Sequence, residues 1–181
     1  YTGATAIREG TLVFATEASV ASTTNIDVLS GATLDFAFTG GFSNALSGAG
    51  TALVSSNATV DLRGESSAFT GTWNIAGTAN VSRTNNLGAG KLAGGGTLEI
   101  EAADKTNAFA FASAAGNSFT GTVDLVKGTM NLNDTNNAAV LSNSEFKLSA
   151  NGVATLTNNA TIGDMNFAGG LLKLTGSADD L

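Results

Sequence analysis

The feature that most constrains this chain is a phrase that occurs three times. "YTGATAIREGTLVF" opens it, "FTGTWNIAGTANV" begins at Phe69, and "FTGTVDLVKGTMNL" runs from Phe119 to Leu132. After each aromatic-Thr-Gly opening comes a stretch with apolar residues at every second position, then a Gly, then renewed alternation. Period-two alternation puts one set of side chains on one face of a strand. Recurrence of such a unit is the mark of a repeat architecture. The residues that define it are Tyr1, Gly3 and Gly10, then Phe69, Gly71 and Gly77, then Phe119, Gly121 and Gly128. They divide a single segment, 1–181, into blocks of about 1–68, 69–118 and 119–181.

A second phrase is interleaved. "GATLDF", "NATVDL" and "GGTLEI" share a turn residue, Thr, an aliphatic, an acid and another apolar residue. Leu34 with Phe36, and Val60 with Leu62, are expected to face inward, while Asp35, Asp61, Glu99 and Asp124 take outward positions. Thr and Asn are poor in helix interiors, and they are abundant here, so strands and turns dominate the reading. Short strands with Gly or Asn turns at close spacing allow a sandwich, an antiparallel barrel or a coiled solenoid. Asn-Gly, the two-residue hairpin signal, occurs once, at Asn151-Gly152. The uniformity of the unit favours an all-β, right-handed parallel β-helix, each coil stacked on the last. At about 20–25 residues per coil, roughly eight coils are expected. A lone coil cannot cover its own faces or pair its own strand edges, so the coils must fold as a stack.

Composition closes off several functions. The chain has Lys+Arg 8, Asp+Glu 15 and a net charge of −7, with the basic residues scattered singly. Nucleic-acid binding requires clustered cations, so that partner is excluded. With no Cys, there are neither disulfides nor thiolate metal sites. With no His, the usual base of serine or cysteine proteolysis is missing. The chain begins at Tyr1 without Met and ends in mid-pattern, and is read as a piece of a longer protein. No apolar run approaches the ~20 residues of a membrane-spanning helix.

The phrases "YTGATAIREGTLVF" and "FTGTVDLVKGTMNL", with "NNLGAGKL" at Asn85 to Leu92 and "NIDVLSGATLDF" at Asn25 to Phe36, resemble the passenger-associated transport repeat and connecting coils of bacterial autotransporters (type V secretion). The resemblance covers nearly the whole chain and is weakest around Asp104 to Gly116 and in the last residues. It implies a β-helical passenger, exported through the periplasm and outer membrane by its own C-terminal outer-membrane barrel, which lies outside this segment. Two departures stand out. The second opening lacks one residue before Gly77, and the third block reads "NNAAVLSNSEF" where a Leu-Gly phrase is expected.

Under that resemblance the expected function is a non-catalytic stalk at the bacterial cell surface or released from it. It would support adhesion or cell aggregation, with another copy of itself or a host surface or glycan as partner. Coil stacking outside the cell would also assist export. No cofactor, metal or catalytic residue is expected. Two alternatives remain: an inert spacer for a head domain, and a polysaccharide-active enzyme using outward carboxylates at the ~5–9.5 Å separation of glycosidases. A calcium-bridged lyase cluster is disfavoured by the isolated basic residues. "NLNDTNN" (Asn131 to Asn137) is rich in oxygen ligands but has one carboxylate, Asp134, and reads as a turn rather than a calcium loop. "GAGKLAGGG" lacks the phosphate-loop spacing, and "RGE" at Arg63 reads as a turn. Trp73, Phe109 and Phe111 are assigned to the core.

Overall fold

The structure is a computed structural model that describes residues 3–17, 25–102, 108–157 and 164–175. The first two coils run β1 (Thr5–Ile7) and β2 (Thr11–Phe14), then β3 (Asn25–Val28), β4 (Thr33–Phe36) and β5 (Thr39–Phe42). The next two run β6 (Ala45–Gly48), β7 (Thr51–Val54), β8 (Thr59–Leu62), then β9 (Ala68–Phe69), β10 (Thr72–Ile75), β11 (Thr78–Val81). They are followed by β12 (Lys91–Gly94), β13 (Thr97–Glu101), β14 (Ser118–Phe119) and β15 (Thr122–Asn131). A short helix, α1 (Thr135–Leu141), leads to β16 (Glu145–Thr157), β17 (Met165–Ala168) and β18 (Leu171–Thr175).

The strands line up in three sheets, in the orders β1-β3-β6-β9 (sheet A), β14-β12-β10-β7-β4-β2 (sheet B) and β17-β16-β15-β13-β11-β8-β5 (sheet C), with β18 also paired to β16. Every strand pair is parallel. From β3 to β11 the strands fall in sheets A, B and C in turn; β12 to β15 then alternate between sheets B and C, and β16 to β18 all belong to sheet C, so the backbone winds and each coil pairs with the next. The fold is a parallel β-helix of about 7 turns. That is one fewer than the roughly eight expected from coil length. Thr97 pairs with Thr122 across an excursion that carries Phe109 and Phe111, and Thr122 pairs with Glu145 across α1. Asn151-Gly152 makes no hairpin; both residues lie inside β16, paired to Lys127 and Gly128.

Register explains the alternation. In sheet C, Phe42, Leu62, Val81, Ile100, Leu125, Leu148 and Phe167 form one inward column. All are buried except Phe167, which is 54% exposed on the last coil. In sheet B, Leu34, Ala52 and Trp73 share a column, and the small Ala52 leaves room for its neighbours. The Phe36 and Trp73 rings stack with centroids 6.3 Å apart, while Phe36 meets Phe42 edge-on at 4.7 Å. Trp73 is fully buried, as assigned, and its indole N–H donates to the Leu87 carbonyl at 2.9 Å. Phe109 and Phe111 are buried too, packed edge to face.

The repeated phrase is a corner. Phe69 lies in sheet A and Thr72 in sheet B, with Gly71 between; Phe119 lies in sheet B and Thr122 in sheet C, with Gly121 between. The buried aromatic anchors the end of one strand, and the Gly lets the chain turn against the coil below. A Cβ at Gly71 would collide with the Gly50 carbonyl, and one at Gly121 with the Gly96 carbonyl. Both obstacles are backbone, which cannot step aside. Gly77 occupies the comparable bend between β10 and β11, and Gly128 the corner within β15, while Gly3 and Gly10 are exposed at bends flanking β1. Tyr1 lies outside the described residues.

Candidate functional site

The outer face of sheet C carries two aligned columns. The sheet C strands β5, β8, β11, β13 and β15 all begin with Thr, so Thr39, Thr59, Thr78, Thr97 and Thr122 stand in register. Sheet B repeats the device with Thr11, Thr33, Thr51 and Thr72. Two residues along sheet C comes a charged column: Asp61, Asn80, Glu99, Asp124, Lys147 and Asn166. Rungs of such a ladder are about 4.8 Å apart, so functional groups repeat along the axis at a fixed interval.

Three of the four carboxylates expected on outward positions, Asp61, Glu99 and Asp124, are therefore brought together. Asp35 is not among them. It belongs to sheet B, where it accepts from the Ser55 hydroxyl at 2.7 Å. Asp124 departs from expectation in another way: it occupies an outward position yet is only 3% exposed. The next coil covers it. Lys147 Nζ donates to one carboxylate oxygen and Ser149 Oγ to the other, both at 2.7 Å. A buried carboxylate requires such partners, since desolvation of an unpaired charge costs several kcal/mol. The contact raises the Lys147 pKa, through the hydrogen bond first and the Asp124 charge second. Glu99, the rung between Asn80 and Asp124, is pushed above the usual glutamate range. Burial is the main cause, then the charges of Asp124 and Glu101, with Lys147 opposing.

Beside this column lies an open groove of about 350 Å³ lined by Asp61, Arg63, Asn80, Ser82 and Glu101. Arg63 is held across Asp61, its Nε donating at 2.7 Å. A second exposed pair, Arg83 with Glu65, stands on the adjoining turn, and Arg83 holds the Glu65 carboxyl below its ordinary range. "RGE" is thus a bend whose charged ends are each used by an ion pair. No group of three or more His, Cys, Asp or Glu among the described residues is placed to hold a metal ion. "NLNDTNN" is not the plain turn its composition suggests. Asp134 caps α1 by accepting from the backbone N–H groups of Asn136 and Asn137 at 3.0 and 3.1 Å, so its carboxylate is committed to the helix start.

Sequence reading missed two buried amides that hold the corners. Asn86 accepts from the Ser82 and Arg83 N–H groups and donates to the Gly64 carbonyl. Asn137 accepts from Phe111 N–H and donates to the carbonyls of Phe109 and Asn131. Neither belongs to the alternating pattern; each ties together backbone groups of separate segments. Arg63, Ser82 and Glu101 were also missed as groove residues, because their alignment follows from coil lengths that alternation does not reveal. No protein family, curated protein or solved structure matches the chain.

Proposed function

We propose that this chain is the non-catalytic β-helical stalk of a secreted autotransporter passenger, and that the outer face of sheet C is its adhesive surface toward another copy of itself or a glycan-bearing host surface. The observation that carries the reading is the unbroken register of Thr39, Thr59, Thr78, Thr97 and Thr122 beside a polar column. A rigid row of hydroxyl, amide and carboxylate groups suits many weak contacts made at once. A single hydrogen bond contributes about 0.5–1.5 kcal/mol, so useful affinity comes from several aligned contacts and from many copies on one cell. The resemblance of the corner phrases to passenger repeats supports the cellular setting, and coil-by-coil stacking supports a role in export.

The enzymatic alternative has less support. Glu99 and Asp124 are adjacent rungs, at a backbone spacing near that of a retaining glycosidase pair. Both Asp124 oxygens, however, are engaged by Lys147 and Ser149 beneath a covering coil.

Display of the whole protein on bacterial cells tests the adhesive reading. The half-buried Thr59, Thr78 and Thr97 are replaced together by Arg, which disrupts the face while leaving the inward columns intact. Aggregation and attachment to glycan-coated surfaces are expected to fall by at least about tenfold, the effect of losing roughly 1.4 kcal/mol of interaction, at unchanged surface level. Unchanged aggregation and attachment would reduce the segment to a spacer.

A further inference from the structure

The polar column of sheet C is satisfied at every charged rung but one. Asp61 is paired with Arg63, and Asp124 with Lys147 and Ser149. Two acceptors remain between these pairs. Asn80 Oδ1 is buried with no hydrogen-bond partner. Glu99 stands next to it in register and has no hydrogen bond or ion pair among the described residues. An ionised carboxylate and an amide oxygen are both acceptors only, so together they leave an unmade bond. One proton on Glu99 changes that, because a carboxylic acid has an O–H to donate.

We propose that Glu99 is a proton-operated latch between the coils of β11 and β13. Protonated, its carboxyl donates to Asn80 Oδ1 and ties the two rungs together. Ionised, it leaves that oxygen unpaired and stands against the Asp124 carboxylate on the other side. Burial and the carboxylates of Asp124 and Glu101 favour the proton, and Lys147 opposes it. β15 brings Asp124 next to Glu99 and Lys127 next to Glu101; β16 brings Lys147 and, one column away, Glu145. Glu101 lies on the same strand, β11 contributes the neutral Asn80, and the Asp61 charge on β8 is already matched by Arg63.

The sign of the effect follows from the proton. A group held more protonated in the folded chain than in the unfolded one stabilises the fold fully below the ordinary glutamate range. That contribution is lost as pH rises through the folded-state value. The latch closes as the proton binds and opens as pH rises through the folded-state value.

Carbon-detected NMR of the Glu99 carboxyl in the full chain, with hydrogen exchange across β11 and β13, tests this. Glu99 is expected to titrate above the ordinary glutamate range. Exchange at Thr78–Val81 and Thr97–Ile100 should slow about threefold to tenfold, beyond the intrinsic pH effect, as the proton binds, which is the effect of one added hydrogen bond. Glu99→Gln, whose amide donates without titrating, should be protected at both pH values. Asn80→Thr places a hydroxyl donor beside the carboxylate; it should move the titration down and remove the pH-dependent slowing. Titration of Glu99 at or below the ordinary range overturns the latch. So does an Asn80→Thr protein in which titration and exchange are unchanged. If Asn80→Thr fails to fold, the wild-type titration and the Glu99→Gln comparison decide alone.

Discussion

Trp73→Ala is expected to destabilise the protein by about 3–5 kcal/mol, the range for deleting a fully buried large aromatic. The indole packs against Phe36 and Phe69 and stands next to the small Ala52 in its column. Its removal also strips the Leu87 carbonyl of its donor. At about 2–4 °C per kcal/mol for a chain of this size, the midpoint of thermal unfolding should fall by roughly 10 °C. The loss should also be local. In a stacked repeat each coil contacts its neighbours, so weakening one interface uncouples the ends. Hydrogen exchange should therefore accelerate most in β7, β10 and β12 and least in β16. Uniform acceleration along the chain would show that the coils unfold as one unit.

Asn137→Leu should cost nearly as much without removing volume. The substitution leaves Phe111 N–H and the Phe109 and Asn131 carbonyls without the amide that joins them. Each buried backbone group left unpaired costs about 1–3 kcal/mol, and partial relaxation toward water brings the expected total to about 3 kcal/mol. The segment carrying Phe109 and Phe111 is held to the helix start chiefly by this amide and by Asn136, which donates to the Phe111 carbonyl. Denaturant unfolding should show the loss in Asn137→Leu and almost none in Asn143→Ala, at an exposed position. Equal stability of the two variants would remove the assigned role.

These two residues also mark what could be read from sequence and what could not. Trp73 was legible because it alternates with Ile75 inside a strand-length run, and period two is a local property. The inward positions of Leu34, Phe36, Val60 and Leu62 were legible for the same reason. Asn137 was not, because two of its three backbone partners, in Phe109 and Phe111, lie more than twenty residues away, and one Asn in an Asn-rich stretch carries no signal. The helix at Thr135–Leu141 escaped for a related reason: it is seven residues long, and its Asp134 cap resembles a turn residue. Asp124 was placed on the correct strand position, but its burial depends on Lys147 and Ser149 of the following coil. The site shows the same division. The outward positions of Asp61, Glu99 and Asp124 follow from alternation. Their alignment in one column, and the separation of Asp35 from them, follow from coil lengths set by turns such as Ser55–Ala58 and by the excursion before β14. The aromatic-Thr-Gly phrase was legible as a repeat. That it serves one corner at Phe69 and another at Phe119 appears only when the strands are assigned to sheets.

The central claim is that consecutive coils stack in parallel with Thr over Thr. Absence of native cysteine allows a direct measurement: the yield of intramolecular disulfide under mild oxidation in paired cysteine variants. Thr59→Cys with Thr78→Cys places two cysteines on adjacent rungs, their Cα atoms about 4.8 Å apart and within the roughly 4.4–6.8 Å Cα separation that a disulfide spans. Thr59→Cys with Thr97→Cys places them two rungs apart, near 10 Å and out of reach. The stacked helix predicts rapid bridging of the first pair and little of the second. Comparable bridging of both, or bridging of the second alone, would contradict it.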